Sequence, residues 1–149
     1  MPNLSTDPAF FELLTKSYLR LVGRPLVHLG LGPAWLYGEA RFVVVAHNTD
    51  SDPRFVYANR RAQNLFGYGW WEFTALPSRL SAEAPEREER QRLLDAVTTN
   101  GFIENYRCLR VRKSGARFRM EDGLVWQLLD EDGKSHGQAA TFSKWTDQV

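Results

Sequence analysis

The chain has 149 residues, 43% of them hydrophobic, with five Trp, five Tyr and nine Phe, which is enough for one packed domain. Its formal net charge of +1 gives no bulk electrostatic reason to expect nucleic acid or an anionic membrane surface as a partner. The single cysteine, Cys108, excludes an internal disulfide and fits a reducing compartment. No basic leader and no membrane-length apolar run are present, so a soluble cytoplasmic protein is expected.

Thr6-Asp7-Pro8 reads as a helix start, with Asp7 able to cap and Pro8 suited to the first helical position. Phe10, Leu13, Leu14, Tyr18, Leu21 and Val22 recur at helical spacing, and Gly23 ends the pattern, which predicts an amphipathic helix over 8–22. Phe11 and Leu19 widen its apolar face. Two uses follow: packing on its own domain, or a further contact with a second subunit in a homodimer. Residues 24–33 are a Pro- and Gly-rich connector, and 34–40 suit a short helix. The β-branched run 41–47 is a strand, NTDSDP is a turn, and 54–58 is the partner strand.

Asn59 can cap the next helix, which Gly67 ends. A short turn or helix over 69–73 carries Trp70 and Trp71. Ser81 then reads as the cap of a longer helix reaching Asn100-Gly101, anchored by Leu93, Leu94 and Val97. Its pairs Glu83–Arg87, Glu86–Arg90 and Glu88–Arg92 have favourable i,i+4 order and read as a solvated helix face.

Two long strands follow. A two-residue turn at Ser114-Gly115 sets Arg112 opposite Arg117 and Arg110 opposite Arg119. Ile103, Asn105, Arg107, Leu109 and Val111 then share the core face with Phe118, Met120, Asp122, Leu124 and Trp126, and Arg107 lies opposite Asp122. The other face collects Arg110, Arg112, Arg117 and Arg119 towards solvent. One bulge would invert part of this register. A last strand spans about 136–145, with either Gln138, Ala140 and Phe142 or Ala139, Thr141 and Ser143 inward.

The chain offers little catalytic vocabulary. His28, His47 and His136 lie on separate elements without metal-ligand spacing, and there is no Walker A, GxSxG or GxGxxG motif. Candidate chemistry lies in a polar cluster on the inner wall. Arg107 with Asp122 is either a structural ion pair or, together with Asn105, a ligand anchor, with Tyr57, Phe66, Tyr68, Met120 and Trp126 as apolar walls. The four-arginine face is a solvated strand surface or a dock for an acidic partner. Nucleic acid fits poorly, because no aromatic residues interleave with these arginines.

The order of these elements is that of a PAS sensor domain. The strings HNTDSDPRFVYANRRAQNLF, LPSRLSAE with Arg87 and Arg90 following, NGFIENYRCLRVRKSGARF, VWQLLDEDG and GQAATFSKW resemble the MEKHLA domain. That PAS-like family occurs as small stand-alone bacterial proteins and at the C-terminus of plant class III homeodomain–leucine-zipper factors. The resemblance runs from about Phe10 to Trp145, and the literal string MEKHLA is absent. It implies an α+β, PAS-like fold: a five-stranded antiparallel sheet with helices over one face, preceded by the N-terminal helix. The whole of 1–149 is then one domain, with 41–145 as its PAS core. It further implies a stand-alone sensory or regulatory module that binds a small molecule or a partner protein without catalysis, its signal passing to a separate output protein. The alternative is a small enzyme with a cone-like pocket using Asp122 and Arg107 as an acid–base pair. No flavin, haem or metal cofactor is expected: the reactive-cysteine motif of light-oxygen-voltage domains is missing, and 81–100 contain no histidine.

Overall fold

The computed structural model describes residues 3–82 and 84–148, without the side chains of 84–86. Helix α1 (Pro8–Val22) starts where Asp7 accepts a hydrogen bond from Phe10 N at 2.8 Å, and it stops at Gly23 with φ 86°. Helix α2 (Pro33–Gly38) leads into strands β1 (Val43–His47) and β2 (Phe55–Ala58). Then come α3 (Arg60–Phe66), α4 (Trp70–Phe73), a 3-10 turn at Ser78–Ser81 and α5 (Ala84–Asn100). Strands β3 (Phe102–Val111), β4 (Arg117–Leu129), β5 (Ser135–Phe142) and β6 (Lys144–Gln148) close the chain.

The sheet runs β2-β1-β5-β4-β3, antiparallel throughout. Strand β6 pairs with β4 in the register that β5 began: Leu124 opposes Thr141, and Glu121 opposes Lys144. It therefore extends β5 past a break at Ser143, and the expected five-stranded PAS-like sheet is the one observed.

Both faces are buried. On the inner face Ala62, Phe66, Phe73, Leu94 and Val97 from α3, α4 and α5 pack on Val43, Val45, Phe118, Met120, Ala140 and Phe142. This selects Gln138, Ala140 and Phe142 as the inward set of β5. On the outer face Phe10, Leu14 and Tyr18 of α1 pack on Tyr57, Leu124, Trp126 and Leu128. Tyr18 meets Trp126 edge to face at 4.9 Å. Helices thus cover a second face as well, and β1 is buried along its whole length.

Asn59 joins the layers. It is fully buried and satisfied: Oδ1 accepts from Ala62 N and Val44 N, while Nδ2 donates to Leu36 O and Phe42 O.

The β3–β4 hairpin corrects the expected register by one residue. Arg112 N donates to Ala116 O, so the loop is the three residues Lys113-Ser114-Gly115, with Gly115 at φ 90°. Gly115 N donates to Arg112 O, so a tight turn is closed by a left-handed glycine. Val111 now opposes Arg117, and Arg110 opposes Phe118. Bulges follow at Asn105 (φ 55°) and Asp122 (φ 49°), two residue types that tolerate left-handed backbone. Tyr106, Cys108 and Arg110 therefore turn inward beside Phe118 and Met120, while Asn105, Arg107 and Asp122 turn out.

One close approach positions the site. Gly137 has φ +127°, and a Cβ there would lie 1.9 Å from the carbonyl oxygen of His47. Gly137→Ala is expected to cost roughly 2–4 kcal/mol through backbone strain and separation of β1 from β5. Urea unfolding measures this; an unchanged midpoint contradicts the packing.

Candidate functional site

A cavity of about 20 Å³ lies between the inner sheet face and α5. Its apolar wall includes Val45, Phe55, Phe66, Leu94, Met120 and Phe142, and its polar groups are His47, Ser81, Arg90, Arg110 and Gln138. His47 ends β1, Arg110 comes from β3, Gln138 from β5 and Arg90 from α5. The three residues His47, Leu94 and Gln138 also line an open cleft of about 290 Å³, with Asn48, Thr49, Gln91, Asp95 and Thr98.

The electrostatics of the cavity are one-sided. Arg90 is 6% exposed and Arg110 is 7% exposed. Among the described residues neither has a carboxylate within ion-pair distance. Arg110 donates to Ser81 Oγ at 3.3 Å, whose hydroxyl in turn donates to Ser78 O. Ser81, expected as the cap of α5, thus closes the 3-10 turn and holds a guanidinium. Arg90 Nε has no partner among the described residues. Burial first, then repulsion from Arg110, lowers the Arg90 pKa to about 10, so it stays protonated at neutral pH.

Two acceptors face this charge. His47 Nδ1 lies 2.9 Å from Asn48 O, a donor's position, which leaves Nε2 as a buried lone pair without a partner. Gln138 spends its amide nitrogen on Leu94 O and Thr98 Oγ1, leaving Oε1 unpartnered. The buried Tyr106 hydroxyl is likewise unpartnered, and burial raises its pKa.

The sequence-predicted site residues are dispersed. Phe66 and Met120 line the cavity. Tyr68 packs on Phe73 beside the inner core. Tyr57 and Trp126 point to the outer face, under α1. Asn105 is exposed at its bulge. Arg107 pairs with Glu121 at 3.3 Å instead of Asp122, and Asp122 stands 67% exposed near Lys144. The expected Arg107–Asp122 pair is thus not formed, and these two side chains enclose no acid–base site.

The helix charge run also divides. Arg92 pairs with Glu89 instead of Glu88, and Arg90 turns inward. The expected Glu83–Arg87 and Glu86–Arg90 pairs fall on side chains outside the described residues. The supposed four-arginine solvent face loses Arg110 to the core, while Arg112 lies over Phe118 and binds Asp147.

A periodic signal did mark Arg90. It lies one turn before Leu94 and two before Val97, on the apolar stripe. The strings that carry the family resemblance also contain His47, Ser81, Arg110 and Gln138, with Arg90 just after LPSRLSAE.

Compared with known proteins, residues 8–147 match the MEKHLA domain. The chain belongs to the MEKHLA domain family. A PAS domain from Colwellia psychrerythraea superposes with a TM-score of 0.64 at 15% identity, covering 77% of this chain and 92% of that one. The light-state dimer of the fungal blue-light photoreceptor Vivid gives 0.57 at 17%, covering 85% and 90%. An RNA-binding light-oxygen-voltage receptor gives 0.62 at 19%, covering 83% of this chain but 36% of the receptor. At these identities the likeness establishes the PAS fold of this MEKHLA domain. No curated protein matches the chain. Among the described residues no group of His, Cys, Asp and Glu could hold a metal ion, and no helix is long and apolar enough to cross a membrane.

His47 gives the site a pH signature. Its pKa is lowered to about 4, by burial first and further by Arg90 and Arg110, against a hydrogen bond to Asn48 that raises it. The unfolded chain takes up the proton near 6.5 and the folded chain only near 4, so stability is full above 6.5 and falls as pH drops between them. Urea unfolding at pH 7 and pH 5 is expected to differ by about 2 kcal/mol through this group. His47→Gln removes that part of the slope; an identical slope in the variant contradicts the assignment.

Proposed function

We propose that this MEKHLA domain is a sensory or regulatory module that binds a small molecule in the inner-face cavity and signals occupancy to another protein. The observation that carries this is the convergence of unsatisfied buried groups on one cavity: Arg90 Nε, His47 Nε2 and Gln138 Oε1. Leaving such groups unpaired costs roughly 1–3 kcal/mol each, more for charges, so a polar ligand there supplies what the fold lacks. Phe66 and Met120 supply apolar contact. Met120 is unbranched and adaptable, suited to a wall that moves when a ligand enters.

A ligand without visible colour fits these residues. Several structural neighbours are light-oxygen-voltage proteins, but this chain lacks their reactive-cysteine motif, α5 offers no histidine to hold a haem, and Cys108 lies on β3. Native mass spectrometry of protein purified from its own host is expected to show a retained small molecule, lost on denaturation. Bare protein mass, together with no thermal response to any small-molecule library, contradicts the reading.

The homodimer belongs to the same proposal. Helix α1 uses Phe10, Leu14 and Tyr18 on its own sheet, yet leaves Leu19 50% exposed on its outer side. Light scattering is expected to show a dimer that Leu19→Glu converts to a folded monomer. A wild-type monomer at high concentration contradicts it.

A further inference from the structure

We infer that the cavity is a carboxylate site, and that its ligand is a small hydroxy acid whose carboxylate lies between the guanidinium groups of Arg90 and Arg110. This rests on the reading that the cavity holds a ligand, and it names the class.

The counter-ion argument comes first. Arg24, Arg79, Arg92, Arg107 and Arg112 each have a carboxylate partner. All five are more solvated than Arg90 and Arg110, and water would screen them in any case. The two arginines that most need a counter-ion have none among the described residues. Neither can shed its proton, and each buried charge costs several kcal/mol unless paired. An anion from outside the chain completes them, and a planar carboxylate matches the guanidinium fork.

The rest of the ligand follows from the neighbouring atoms. His47 Nε2 and Gln138 Oε1 are acceptors, so they call for a donor on the ligand, which a hydroxyl provides. These two side chains also stand where the cavity meets the larger cleft. A cavity of about 20 Å³ has room for about one water molecule in its present shape, so a carboxylate has to widen it at the Met120 wall, and the remaining carbons extend past His47 and Gln138. Asp95 lies in that cleft and disfavours a second carboxylate. The ligand is thus a monoacid.

The test uses the full chain and four probes at matched ionic strength against sodium chloride: 3-hydroxybutyrate, butyrate, butyramide and inorganic phosphate. We expect 3-hydroxybutyrate to raise the unfolding midpoint saturably, by about 3–6 °C at ten times its Kd. Butyrate does so more weakly, and butyramide and phosphate do no more than the salt control. Arg90→Gln and Arg110→Gln each abolish the shift. Freed of an unpaired buried charge, both variants unfold without ligand at or above the wild-type midpoint. A fall of many degrees in both ligand-free variants means that the arginines are internally satisfied, and overturns the inference. An equal response to phosphate overturns the carboxylate assignment. A response to butyramide that survives Arg110→Gln overturns the acid while leaving the cavity a binding site. Silence to all four probes overturns the acid, and native mass spectrometry then decides separately whether the cavity retains any ligand.

Discussion

The register of the β3–β4 hairpin is the constraint on which the site depends. Side chains alternate along a strand, so one residue more or less in the turn exchanges the two faces of one arm relative to the other. The three-residue loop Lys113-Ser114-Gly115 places Arg110 opposite Phe118, and Phe118 belongs to the inner core. Arg110 has to enter the core with it. Cys108 and Tyr106 follow on the same face by alternation, and the bulges at Asn105 and Asp122 then turn Asp122 out of the core. With a two-residue turn the same sequence would have solvated Arg110 and left the cavity with one arginine.

Asn59 shows how the fold satisfies a buried polar group that is structural. Asn59 makes every hydrogen bond its side chain can direct into the surrounding layers, and it ties β1, α2 and α3 together. Unpartnered buried atoms also occur at Tyr57, Trp70, Ser78, Tyr106 and Trp126, and the cavity differs in gathering three beside two guanidinium groups. Arg90, His47 and Gln138 keep unpartnered atoms within one enclosed volume, and two positive charges face each other across it. A buried charge pair of like sign weakens the domain unless something compensates it. On the proposed reading, an anion that compensates the pair raises the domain's stability, and that gain is the physical route from ligand to signal.

Much of this molecule was legible in the sequence. Asp7 with Pro8, Asn59 with Gly67, and the β-branched run ending at His47 marked their elements through local chemistry that tertiary structure did not override. The family strings gave the PAS-like architecture. The site was less legible for two reasons. Turn length is a small local choice with a long-range effect, and Ser114-Gly115 suits both a two-residue and a three-residue loop. The acidic and basic pairs on α5 also obscured the fact that Arg90 shares the stripe of Leu94 and Val97. Arg107 looked inward because the turn was read one residue short, and Asp122 because its bulge was unseen. Tyr57 and Trp126 looked like cavity walls because α1, which buries them, covers the face opposite the cavity.

The most direct test of the account is nitrogen-15 NMR of the arginine Nε–H groups during titration with 3-hydroxybutyrate. The Arg90 and Arg110 signals, assigned by Arg→Gln substitution, should move together along one saturating curve, while that of surface-paired Arg79 stays still. Arg90 and Arg110 signals that remain fixed, or that drift no further than Arg79 as salt is added, would show that no anion enters between them.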